Sequence, residues 1–254
     1  MSLQVGSRST RGIAVVAGAL FIVAAVTAMV AVVLYAPVLN DPGYVTSSPD
    51  ATQVLAGAFL ELILAIAVVG TSVTLFPLVK HQNESLALGY VCGRLLEATL
   101  IVIGAIGLLS VVILSAEFAA SAEPSSAAFL AVASALVAVH DWTFLFGPGF
   151  VIGLNTLMLA YLLYSSRLVP RPIPILGLIG GTAIFVSSMA VLFGIYDQVS
   201  TLGAIAAIPV FVWEMTLAVW LIVKGFDSSL DAPEQAETLE RPTQMGTPAG
   251  QTWR

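Results

Sequence analysis

Outside its apolar stretches this chain places lysine and arginine in alternate loops only. Arg8 and Arg11 precede the first stretch, Lys80 follows the second, Arg167 and Arg171 follow the fourth, and Lys224 closes the sixth. The loops between them hold Asp41 and Asp50, then Glu117 and Glu123, then Asp197, with no basic residue. An excess of Lys and Arg marks the cytoplasmic side of a membrane. The pattern therefore predicts six spans with both termini inside, and an address in the cell (cytoplasmic) membrane.

Composition agrees. The chain is 58% hydrophobic and 9% charged, against about 45–50% and about 25% for soluble domains. A membrane-crossing helix needs about 20 predominantly apolar residues, and six stretches qualify, near 13–38, 53–79, 87–114, 142–165, 172–195 and 203–224. The first runs from Gly12 to Asn40, too long for the roughly 7–15 residues of a signal-peptide core, and it lacks a small-x-small cleavage site. It reads as a permanent anchor. The expected architecture is all-α and polytopic: a cytoplasmic N-terminus over 1–11, a six-helix membrane domain over 12–226, and an acidic cytoplasmic tail over 227–254. That tail sets five carboxylates, from Asp227 to Glu240, against Arg241 and Arg254. Rich in Pro, Gly, Thr and Gln, it buries too little apolar surface to order itself. The partner that the chain requires is a lipid bilayer, and nothing in it resembles a basic nucleic-acid surface.

Ser125–Val139 is an additional apolar run of small residues before the fourth span, short enough for an interfacial or re-entrant helix. A continuous helix from Ser126 to Ser166 would be about 60 Å long, twice the hydrocarbon thickness. The chain is expected to bend at His140-Asp141 or at Gly147-Pro148-Gly149, where proline removes a donor and glycine weakens the helix. Gly149 and Gly153, Gly177 and Gly181, and Gly104 and Gly107 are spaced to let helix backbones approach. Packing within one chain is the main reading of these pairs, and a homo-oligomer the lesser one. Glu97-Ala98-Thr99-Leu100 echoes Glu214-Met215-Thr216-Leu217, as an inverted repeat of three helices plus three would. Such an echo also arises readily by chance in a leucine-rich chain.

Charged side chains inside a bilayer are costly, by about 2.5–3.5 kcal/mol on insertion scales, and face a partner or a water-filled cavity. Four lie within the spans: Glu61, Arg94, Glu97 and Glu214. Arg94 and Glu97 are three apart and can pair, with Tyr90 one turn earlier on the same face. Three carboxylates against one guanidinium cannot all be neutralised by pairing. At least one must be protonated, share a proton, bind a cation or open onto water. The structural alternative is a fixed Arg94–Glu97 pair, with Glu61 and Glu214 as protonated donors that lock helices together.

His140-Asp141-Trp142 opens the fourth span. It fits a proton relay, a metal ligand or a contact to a lipid head group. It equally fits an interfacial cap in which Asp141 starts the helix and Trp142 anchors it. Asn155, beyond the Gly-Pro-Gly run, is a buried amide that needs partners. Tyr35 and Tyr44 are placed at the outer interface, and Tyr90, Tyr161 and Tyr164 at the inner one. Cys92 stands alone, which excludes an internal disulfide, and reads as a small packing residue. No zinc, phosphate-loop, dinucleotide or nucleophile-elbow motif is present, so no cofactor is named by the sequence.

Several ordered runs carry a likeness: Leu86–Tyr90 through Gly93–Glu97, His140–Leu145, Tyr161–Tyr164 through Val169–Arg171, and Trp213-Glu214 through Val223–Phe226. Together they resemble the prokaryotic integral-membrane family known as domain of unknown function 4386, over about 8–226. The resemblance implies a multi-pass inner-membrane protein of bacteria or archaea. It groups Arg94, Glu97, His140, Asp141, Trp142 and Glu214 as a signature and transfers no catalytic residues. Three functional readings follow. The first is a small binding or transport protein for a proton, cation or small amphiphile. The second is a membrane-embedded enzyme on a lipid-like substrate, with Glu97 or Glu214 as base and His140 as acid or metal ligand. The third is a sensory or accessory subunit that makes contact through its tail.

Overall fold

The computed structural model describes residues 7–47, 50–122 and 124–227, so the expected tail beyond Asp227 lies outside the described residues. Those residues form α1 (Ser7–Asn40), α2 (Tyr44–Ser47), α3 (Thr52–Val79) and α4 (Glu84–Ala120). They continue as α5 (Ser126–Phe144), a π-helical segment (Leu145–Val151), α6 (Ile152–Ser166), α7 (Pro172–Leu192) and α8 (Thr201–Val223). Six of these helical stretches are long and apolar enough to cross a membrane, counting Ser126–Ser166 as one. The protein is all-helical and multi-pass, as the hydropathy pattern requires.

Local chemistry sets the ends. The Asn83 side chain accepts from the Leu86 N–H at 2.9 Å and Ser200 from the Gly203 N–H at 3.2 Å, each satisfying an otherwise orphaned donor. Pro172 opens α7, where a missing N–H costs nothing. Arg167 closes α6 in a left-handed conformation with φ 55°. At the end of α8, the Arg11 guanidinium of α1 donates to the carbonyls of Leu221, Ile222 and Val223. A cation placed on the last carbonyls of a helix suits its dipole, and here it also staples the first span to the last.

The spans form a closed ring: α1 packs on α3, α3 on α4, α4 on α5 and α6, α6 on α7, α7 on α8, and α8 back on α1. Arg11, Lys80, Arg167, Arg171 and Lys224 lie at one end, which we call the basic end; the other is the acidic end. The helices are apolar on every side, as membrane helices are. Large side chains such as Phe59, Ile66, Ile113 and Val186 are exposed, while Trp213, Phe21, Leu75, Leu159 and Leu217 are buried among buried alanines and polar residues. Cys92 is exposed and so belongs to the outward face, not to a packing contact.

α4 has 37 residues, about 55 Å of helix, and runs beside the 41 residues from Ser126 to Ser166. Both exceed a hydrocarbon layer of about 30 Å, and their surplus builds a second core at the acidic end. There Tyr35, Tyr44, Val45, Leu108, Val111 and Ala133 are buried together, and Phe118 meets Phe129 edge-on at 5.2 Å. The apolar stretch before the fourth span is thus a helix, continuous with that span. Of the two expected break points, His140-Asp141 lies inside α5, and Gly147-Pro148-Gly149 lies in the π segment. Pro148 has no N–H, so the regular ladder fails there; the Ile152 N–H reaches the Gly147 carbonyl five residues back.

The glycine pairs are spent on contacts within the chain. A side chain at Gly153 would meet Phe185 and the Gly181 carbonyl, and one at Gly180 would meet the backbone of Pro209 and Val210 at 2.7–2.9 Å. At Gly12 nothing lies within 4 Å. Gly180→Val should therefore cost about 1–3 kcal/mol through overpacking and lower the unfolding temperature in detergent, while Gly12→Ala leaves it unchanged. Equal stability of the two variants would contradict the α7–α8 contact described here.

Candidate functional site

The polar residues of the spans gather in two layers. The first lies near the middle of the ring and is organised by Arg94. Tyr90, Arg94 and Glu97 occupy successive turns of α4, and all three are at least 98% buried. Nη1 of Arg94 lies 3.2 Å from Glu97 Oε2 and 3.3 Å from its Oε1, and Nη2 donates to Glu214 Oε1 of α8 at 3.2 Å. Asn155 of α6, fully buried, donates to Glu97 Oε2 at 2.8 Å. The guanidinium stands over the rings of Phe21 in α1 and Tyr90, at 5.8 and 5.5 Å, and Nε donates to the Tyr90 hydroxyl at 3.4 Å. One side chain thus touches groups from α1, α4 and α8 and, through Glu97, from α6.

The two glutamates are not equivalent. Glu97 accepts three hydrogen bonds, one from Asn155 and two from Arg94. A proton on either oxygen would face an existing donor. Glu214 accepts one bond, its second oxygen has no partner among the described residues, and its side chain is 15% exposed. Contacts of 3.2 Å exceed the roughly 2.7–2.9 Å of a tight charge-assisted bond, as expected for a guanidinium shared between two carboxylates.

The second layer lies toward the acidic end. Glu61 of α3 accepts from the Tyr35 hydroxyl at 3.0 Å. Tyr35 meets the His140 ring edge-on at 5.8 Å, and His140 stacks on Phe144 at 6.2 Å. Nδ1 of His140 is 3.4 Å from Asp141 Oδ1, whose side chain is 60% exposed. Close approach of α4 and α5 makes this possible, because a side chain at Gly104 would overlap Thr143 and press on His140. Trp142 faces outward at 51% exposure and stacks on Phe146 at 6.0 Å, as an interfacial anchor does. The cap reading of His140-Asp141 does not hold: both lie well inside α5, and His140 is buried.

A cavity of about 230 Å³ joins the layers, with Glu61 on its wall toward one and Arg94, Glu97 and Glu214 toward the other. Apart from Thr71 of α3 its other walls are apolar, from α1, α3, Ile101, Phe144, Pro148 and Ile152. The four charged residues singled out by the sequence therefore do share one space, while His140 reaches it indirectly, through Phe144 on its wall and through Tyr35 bonded to Glu61. No contact joins His140 to Glu97 or Glu214 among the described residues. No three of His, Cys, Asp and Glu converge in a metal-binding arrangement among the described residues.

Sequence reasoning missed Tyr35, Phe21 and Gln198. Tyr35, Tyr44 and Tyr90, placed at the interfaces by the aromatic-belt rule, are instead 1%, 3% and 0% exposed; helix spacing puts Tyr90 on the face of Arg94, but only the fold shows that Tyr35 and Tyr44 turn inward. Gln198, in the loop before α8, has its amide beside both the Asp141 carbonyl and the Leu145 N–H, and with nitrogen and oxygen assigned to satisfy them it donates to the first at 3.3 Å and accepts from the second at 3.2 Å. It thereby occupies groups at the start of the π segment.

Removing Arg94 would strand two carboxylates with one amide between them. Breaking a buried ion pair by deleting one partner costs about 3–5 kcal/mol. Arg94→Met should lower the unfolding temperature in detergent sharply, and Arg94→Met with Glu97→Gln should recover part of the loss. Glu214→Gln, which keeps an acceptor for Arg94, should leave stability nearly unchanged or raised. A loss with Glu214→Gln as large as that with Arg94→Met would make the whole layer structural glue.

Comparison with known proteins adds one result. No curated protein and no solved structure gives a match. Residues 16–225 match the family described as a domain of unknown function, DUF4386, and both polar layers fall inside that span, so the chain belongs to this family.

Proposed function

We propose that the protein is a small binding or transport protein that handles a proton, a monovalent cation or a small amphiphile inside the bilayer. The observation that carries this reading is the imbalance of three carboxylates against one guanidinium on the wall of a single cavity. In a site that holds only structure, each buried charge would be matched, because an unmatched one is expensive. Glu214 is the labile group, since it has an unoccupied oxygen and partial exposure; Glu97, saturated with donors, and Arg94 hold the local field. Glu61 faces the cavity from the acidic end, backed by Tyr35 and His140, with Asp141 beyond them. With both termini on the cytoplasmic side of the cell membrane, that end faces outward.

The test is ion flux. In proteoliposomes carrying a pH-sensitive dye, the parent should dissipate an imposed proton gradient, or couple it to Na⁺ or K⁺ movement. Glu214→Gln should abolish this while keeping helical content and elution volume. Undiminished flux in Glu214→Gln would remove that residue from the mechanism.

A further inference from the structure

The geometry points to a ligand class and an entry route: a single-chain amphiphile with a cationic ammonium head, which enters the cavity sideways from the lipid between α1 and α8. The inference rests on the reading above that the carboxylates are working groups, and it adds what they bind and from where.

The first observation is how α1 and α8 separate. They are tied from Arg11 on the Leu221–Val223 carbonyls, through Gly18 against Ala218 and Ile222, to Phe21 edge-on to Trp213 at 6.5 Å. Beyond Phe21, toward the acidic end, the α1 residues Ala24, Ala25, Ala28, Met29 and Val32 become cavity wall. Met29 and Val32 are also 51% and 50% exposed on the outer surface of the ring. A residue that lines the cavity and faces lipid marks the mouth between them. On the α8 side Glu214 reaches the cavity, and Ile208, Phe211 and Val212, toward the acidic end of that helix, are exposed.

Size is the second observation. At about 230 Å³ the cavity is smaller than the roughly 300–1,000 Å³ of sites that engulf a drug-sized molecule. It takes a head group and the first methylenes, and a lateral mouth lets the rest of the chain remain in lipid at no desolvation cost. Charge is the third. The excess carboxylates select a cation, and the free oxygen of Glu214 is the one available to it. The Phe21 and Phe144 rings on the wall suit an alkylated ammonium, which aromatic faces attract. An anionic or phosphate-bearing head would meet unpaired carboxylates instead.

Decyltrimethylammonium is the probe, titrated into the full chain in zwitterionic lipid nanodiscs against empty discs. Tetramethylammonium serves as the control without a chain, and decyl sulfate as the control of opposite charge. The expected result is saturable binding of decyltrimethylammonium alone, weakened about tenfold or more by Glu214→Gln and by Ala25→Trp, which fills the mouth. Met29→Trp, on the lipid-facing rim and harmless to folding, should slow binding in the same sense. Equal binding of tetramethylammonium would overturn entry from lipid, and equal binding of decyl sulfate would overturn the charge argument. Absence of saturable binding, in a protein whose proton or cation flux still depends on Glu214, would sink this inference and leave the proposed function standing.

Discussion

The structure depends on one guanidinium. Arg94 sits almost fully buried between two carboxylates and two aromatic rings, and its partners come from different helices. In a bilayer no water is at hand to solvate a misplaced charge, so an arginine there dictates where its acceptors must stand. Once Arg94 is placed, Glu214 fixes the rotation of α8, and Asn155, through Glu97, fixes that of α6. The apolar contacts around it hold less information. Leucine against leucine is nearly as good as leucine against lipid, so rotation must come from polar pairs and from glycines that permit close approach.

The π segment belongs to the same logic. A regular helix from Ser126 to Ser166 would carry one phase through both polar layers. The π turn around Pro148 alters that phase between His140, which faces Tyr35 of the second layer, and Asn155, which faces Glu97 of the first. Two inward polar residues on one long element are thereby aimed at different partners. Gly147, close against Leu100, and Gly149, close against Ser188, seat the turn between α4 and α7. Proline and glycine here mark a change of register, not a place where the span ends.

Much of this was legible in the sequence, for identifiable reasons. Six apolar stretches separated by alternating loop charges fixed the spans, because length and hydropathy are one-dimensional properties. The pairing of Arg94 with Glu97 followed from helix spacing, and Glu214 stood out as a charge that lipid would not tolerate unaided. Other features were not legible. The separation of Glu61 and His140 from Glu97 and Glu214 into two layers is a matter of helix phase and ring order, which spacing within one helix does not encode. Tyr35 and Tyr44 look like belt aromatics because depth can be read from sequence, and facing cannot where no charged neighbour on the same helix marks the inner side. Cys92 looks like packing for the same reason, and faces outward.

The three buried glutamates differ in how far their hydrogen-bonding capacity is met. Glu97 is saturated by donors, and its neighbour Gly93 leaves room only for the Asn155 side chain that would otherwise overlap a Cβ there. Glu214 has one partner and an open side, on a helix whose acidic-end half is largely uncovered. Glu61 has a single neutral donor in Tyr35. In the proposed function a cation or proton in the cavity relieves Glu214 and Glu61, the undersatisfied carboxylates, and leaves the Arg94–Glu97 pair as it is. The proposed function asks charge to change on Glu214 and Glu61, which have acceptor capacity to spare, and not on Glu97, which three hydrogen bonds hold in place.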